Sequence, residues 1–130
     1  MITPDQFRVN EAWIAARVNE SFLFIQDEPY DAYVLVDAAS CYVLGHVLFR
    51  VVDETPQEKD LKELFQAAFQ AKNQWADMLI LTGNSPVDDA FKNQGQQQGL
   101  ASITVDPSDL EPILGPLKES FASNFMRSSS

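Results

Sequence analysis

One histidine, His46, and one cysteine, Cys41, bound the chemistry this chain could perform. A Ser/His/Asp relay would need Ser40 or Ser85 to meet His46, and nothing in the spacing brings either serine to it. A single imidazole and a single thiol cannot build a His or Cys metal cluster, and a lone cysteine cannot close an internal disulfide. Cys41 reads as a small, half-buried residue of a hairpin and His46 as a structural or solvent-facing strand residue. Trp13 and Trp75 read as core or rim residues. Thr82-Gly83-Asn84-Ser85, at a helix start, offers backbone N–H groups to an anion, as many helix starts do, and no Gly-x-Gly-x-x-Gly or phosphate loop is present. The acidic pairs Asp27-Glu28 and Asp53-Glu54 read as solvated turns.

The elements that must position these residues follow from pattern and capping. Residues 12 to 18 predict a short strand opened by Trp13. Residues 21 to 26 read as a connection packed on the core, and Asp27-Glu28-Pro29-Tyr30-Asp31 as a turn cluster. Ala32 to Asp37 is a continuous β-rich run of the buried type, and 38 to 41 a tight connection to a second run over 42 to 52, together an antiparallel hairpin. Thr55 is expected to cap a helix, with Pro56 in its first turn and Glu58 completing a capping box. Leu61, Leu64, Phe65, Ala68 and Phe69 then share one face.

Met78 to Leu81 predicts a buried strand, closed at Gly83. Ser85 and Pro86 start a second helix that ends at Gly99, and residues 100 to 105 predict another strand. Ser108, with Glu111 at the third position, is expected to cap a last helix carrying Leu110, Ile113, Leu114, Leu117 and Phe121 on one face. Pro112 and Gly115-Pro116 are expected to kink or split that helix. Residues 1–125 thus read as a single domain and 126–130 as a frayed tail. The fold class is α/β: a mixed sheet of about five strands, an antiparallel meander followed by alternating helices and strands, with helices on its faces.

This order, with particular residues in it, resembles the ribonuclease-H-like fold of retroviral integrases and bacterial transposases. The residues that carry the resemblance are Trp13-Ile14-Ala15-Ala16, against Trp-x-x-Asp, and Tyr33-Val34-Leu35-Val36-Asp37-Ala38-Ala39-Ser40 with the strand after it. Met78-Leu79-Ile80-Leu81-Thr82-Gly83-Asn84 stands against a strand ending in Thr-Asp-Asn-Gly. The likeness spans roughly residues 11 to 125 and extends to uncharacterised bacterial domains of this fold. It implies carboxylates that hold two divalent cations, Mg²⁺ or Mn²⁺, for phosphodiester cleavage. Here Ala16 and Gly83 occupy the first two of those positions, and neither side chain can ligate a metal. The third falls on the last helix, at Glu111 or Glu119. The resemblance therefore implies the fold without its catalytic centre.

A second register, that of ribonuclease H itself, would make Asp37, Asp88 or Asp89, and Glu111 the ligands of a metal-dependent nuclease or phosphodiesterase. Against it, each has an ordinary role: Asp37 opens the hairpin turn, Asp88 is an acid of a first helical turn and Glu111 belongs to a capping box.

Composition sharpens the choice. The chain has 130 residues, 45% hydrophobic and 11% aromatic, enough for one packed core. Against 9 Lys and Arg stand 19 Asp and Glu, a net charge of -10, which disfavours a broad surface for nucleic-acid phosphates. No apolar run approaches the roughly 20 residues of a membrane span. The N-terminus lacks a basic region followed by an apolar stretch, so a cytoplasmic bacterial protein is expected. The favoured expectation is a ribonuclease-H-like domain without cofactor or catalytic residues that binds a protein partner, a homodimer remaining open. The nuclease is the alternative. An acidic mimic of DNA phosphates, directed at a basic partner, is the second.

Overall fold

The computed structural model describes residues 1–19 and 23–128. Its strands are β1 (Ala12–Arg17), β2 (Leu23–Ile25), β3 (Glu28–Asp37), β4 (Val43–Arg50), β5 (Met78–Leu81) and β6 (Ala101–Thr104), and its helices α1 (Glu58–Lys72), α2 (Pro86–Gln97) and α3 (Glu111–Ser128). They form one mixed sheet. β3 is its long antiparallel member, pairing β4 along one edge and β1 and then β2 along the other, while β1, β5 and β6 run parallel. The architecture is a six-stranded α/β sheet with three helices, as the strand order expects of a ribonuclease-H-like fold.

Side chains alternate across a strand, so each strand divides its residues between two layers. One face carries Trp13, Ala15, Tyr33, Leu35, Val47, Phe49, Leu79 and Leu81 into a core closed by Leu61, Leu64, Phe65 and Ala68 of α1 and Val87 and Phe91 of α2. The opposite face carries Ala12, Ile14, Ala16, Val36 and Ile80 against Leu110, Ile113 and Leu114, at the start of α3. The spacing expected of α1 and α3 is the spacing that is buried.

Four local expectations are corrected. The segment read as a connection contains β2, which forms a hairpin with β3 through Gln26 and Asp27, both at positive φ (52° and 67°), a two-residue turn of the type that matches strand twist. Glu28 to Asp31, read as part of a turn, therefore belong to β3. Thr55 does not cap α1: its N–H donates to the carbonyl of Asp53, Glu54 sits at φ 64°, and the chain stays extended at Gln57, which caps without a side-chain hydrogen bond. Ser108 is not the helix cap either, because Asp106 accepts its N–H and hydroxyl at 2.9 and 2.8 Å and caps the 3-10 turn Pro107–Leu110.

The fourth correction is α3, which is neither split nor ended at its prolines. Pro112 lies in the first turn, where an N–H would have no partner, and Pro116 removes a donor only from the carbonyl of Pro112. The helix continues through 126–128, while residues 129 and 130 of the expected tail lie outside the described residues. No helix among the described residues is long and apolar enough to cross a membrane.

Candidate functional site

Asp37 ends β3 opposite Trp13 and is fully buried. Its Oδ1 accepts the backbone N–H of Asn10 at 2.8 Å, and its Oδ2 accepts the N–H and hydroxyl of Ser40 at 3.1 and 2.6 Å. Lys72, at the end of α1, places Nζ 3.8 Å from the same oxygen and 5.6 Å from the ring of Tyr42. Asn10 in turn accepts the indole N–H of Trp13 at 2.7 Å and donates to the carbonyl of Gln74 at 3.2 Å. The carboxylate is thus a clamp. It holds the turn in which Cys41 stands at φ 60° and ties the segment before β1 to the end of α1. Burial, and then the Asp37 charge, push the Cys41 thiol up, away from the reactive thiolate.

Asp88 has a different engagement. It is buried in the first turn of α2, where its Oδ2 accepts the N–H and hydroxyl of Ser85 at 3.0 and 2.8 Å, and the Ser85 hydroxyl accepts the Asp88 N–H. This is a reciprocal capping box, with Pro86 in the first turn as expected. The Asp88 charge acts on Tyr33, whose phenol is pushed up first by burial and then by Asp88 and Asp31. Asp89, beside it, is exposed.

Tyr33 and Asp37 share one face of β3 but lie four residues, about 13 Å, apart along it. Glu111 is exposed at the start of α3, beyond the other face of the sheet, with its side chain laid back over Gly115. The structure therefore does not bring Asp37, Asp88 and Glu111 together. Among the described residues no three His, Cys, Asp or Glu side chains gather so as to hold a metal ion.

In the integrase-like register the first two positions are neighbours along the sheet but face different sides of it, since a Cβ on Gly83 would point to Asp88 of α2. Continuing the pairing of Ile14 with Ile80 by two residues sets Ala16 of β1 beside Thr82 and next to Gly83, at the carboxyl ends of adjacent parallel strands. Ala16 points to the α3 side, the helix that carries both Glu111 and Glu119, which are exposed. This place is packed rather than polar. Ala16 is 1% exposed within the apolar cluster of Ile14, Val36, Ile80, Leu110, Ile113 and Leu114. The residues present do not fit a pair of divalent cations, which need oxygen ligands.

His46 is exposed on β4, as a solvent-facing reading expects. Trp13 is fully buried and stands 6.0 Å from Trp75, which packs on Phe69 at 4.8 Å, so the tryptophans join α1 to β1. What the sequence did not disclose is a hollow along β4. Among the described residues β4 pairs only with β3, and its residues Gly45 to Leu48 line an open groove of about 500 Å³ with Asp60, Glu63, Leu64 and Ala67 of α1.

No family model matches the sequence, and no curated protein matches it. In structure the chain is similar to a chain of the simian T-cell lymphotropic virus intasome, solved by electron cryo-microscopy in complex with the PP2A regulatory subunit B56 gamma. The TM-score is 0.53 at 13% identity, over 100% of this chain and 45% of that one. The likeness shows the fold alone. This chain spans less than half the length of that neighbour.

Proposed function

We propose that the protein is a ribonuclease-H-like domain without nuclease chemistry that acts by binding another protein. The observation that carries this reading is Ala16, sealed in apolar packing at the place where this fold would need its first metal-binding carboxylate. A charged group there would be desolvated without a partner, so the packing around residue 16 supports a scaffold rather than a cation site. Gly83 adds no ligand, and Asp37 and Asp88 are spent on a turn and a cap. The net charge of -10 favours a protein over nucleic acid as partner. That the structural neighbour was solved in complex with a protein is consistent with this, without identifying a partner here.

Two experiments test the reading together. Incubation with single- and double-stranded DNA and with RNA, in Mg²⁺ or Mn²⁺, is expected to leave every substrate intact. Cross-linking in the native host, followed by mass spectrometry, is expected to recover protein cross-links to this chain. Cleavage lost in Asp37→Ala or Asp88→Ala would instead establish the nuclease.

A further inference from the structure

We infer that the free edge of β4 is a docking strand for an extended segment of a partner protein in which basic and apolar residues alternate. This deepens the protein-binding reading and rests on it. An edge strand presents unpaired backbone N–H and C=O groups, and proteins blunt such edges with lysine, proline or cover. β4 is eight residues long, has neither lysine nor proline, and among the described residues pairs on one side only. Its one irregularity, a shift of register between Leu35 and Val36, falls at its start and leaves Gly45 to Arg50 regular.

The surroundings of that edge specify the occupant. A second hollow of about 200 Å³, lined by Tyr30, Leu48, Phe49, Arg50, Asp53 and Asp60, shares Leu48 and Asp60 with the groove along Gly45 to Leu48. On the helix side, Asp60, Glu63, Leu64 and Ala67 form a single stripe of α1. The one arginine on β4, Arg50, is already bridged to Asp53 at 3.0 Å and Glu28 at 3.5 Å. Lys62 lies 3.6 Å from Glu58. Among the described residues neither Asp60 nor Glu63 is ion-paired, so the hollows offer acid on their α1 side.

Gly45, Val47 and Phe49 turn toward that side, while His46, Leu48 and Arg50 turn to the other, where Val43 and Leu48 are 42% and 39% exposed. A strand added to β4 would alternate in the same way. Its residues above α1 meet Asp60 and Glu63 and are best basic; its residues on the far face meet Leu48 and are best apolar. A second copy of this chain would set one acidic wall against another, which disfavours self-pairing. β6 also has a free edge, but only four residues of it.

The test uses the full chain, labelled with ¹⁵N, and a blocked peptide of about eight residues alternating Lys and Val. Saturable amide shifts confined to Gly45–Arg50 and the Asp60–Ala67 stripe are expected. Methylating alternate backbone nitrogens of the peptide is expected to weaken binding about tenfold or more, as is the surface variant Asp60→Lys/Glu63→Lys. Replacing Lys by Glu in the peptide is expected to abolish it. Equal binding of the methylated peptide, shifts centred on β6, no binding, or β4 shifts that grow with protein concentration alone would each overturn the inference. The protein-binding reading fails separately: native cross-links that map away from β4 sink the docking strand and leave that reading standing, whereas an absence of protein cross-links removes it.

Discussion

An ideal Cβ built on Gly83 would lie 3.1 Å from Oδ2 of Asp88, the oxygen that caps α2 through Ser85. The space a side chain at 83 would enter is held by a carboxylate engaged elsewhere, and placing an acid there sets two like charges against each other. Gly83→Asp is expected to cost about 1–3 kcal/mol by crowding the cap. Ala16→Asp, which buries an unpaired charge among Ile14, Val36 and Leu114, is expected to cost about 3–5 kcal/mol. Urea unfolding checks both, and neither variant is expected to gain phosphodiesterase activity.

The Asp37 clamp makes a graded prediction. Ser40→Ala removes a hydroxyl bonded at 2.6 Å and is expected to cost about 1–3 kcal/mol. Asp37→Ala also orphans the Asn10 N–H and leaves Lys72 without its partner, so its cost is expected to be larger, a sizeable part of a typical domain's stability of about 5–15 kcal/mol. Because Asn10 bonds the Trp13 indole, tryptophan emission is expected to shift in Asp37→Ala and stay unchanged in Asp89→Ala, which touches an exposed helical position.

Raised pKa values at Tyr33 and Cys41 set an alkaline limit. Both groups are favoured in their neutral forms in the folded state, so the stability they contribute is present below their unfolded values, about 10 and 8.5, and is lost as pH rises through the folded ones. Thermal melts from pH 8 upward are expected to fall, and the fall is expected to shrink in Tyr33→Phe. Cys41 is expected to react with an alkylating reagent more slowly than a free thiol at the same pH.

Gly45 lets α1 approach β4: a Cβ there would stand 2.5 Å from Cδ1 of Leu64. Gly45→Ala is expected to destabilise by about 1–3 kcal/mol. Adding Leu64→Val, which shortens the opposing side chain, is expected to recover part of that loss, so that a double-mutant cycle returns a coupling of about 0.5 kcal/mol or more.

Particular residues show what the sequence disclosed. The β3–β4 hairpin was legible because its apolar runs are dense and the 38–41 connection is short. The buried face of α1 was legible because Leu61, Leu64, Phe65 and Ala68 keep one period. Ser85 was legible as a cap because its partners are local. β2 was missed because Leu23–Ile25 is brief and its turn, Gln26-Asp27, lacks glycine or asparagine. The role of Asp37 was half legible: its turn partner Ser40 is three residues away, but Asn10 is 27 residues distant and Lys72 comes from another element. The β4 groove depends on which strand lies at the sheet edge, a tertiary fact that no local pattern encodes.

The proposed function rests on Ala16 being sealed in apolar space that offers a divalent cation no ligand. Titrating Mn²⁺ into the ¹⁵N-labelled protein measures it directly through paramagnetic broadening of backbone amides. No saturable broadening centred on Ala16, Gly83 and the start of α3 is expected. Saturable broadening focused there, and lost in Glu111→Gln or Glu119→Gln, would contradict it.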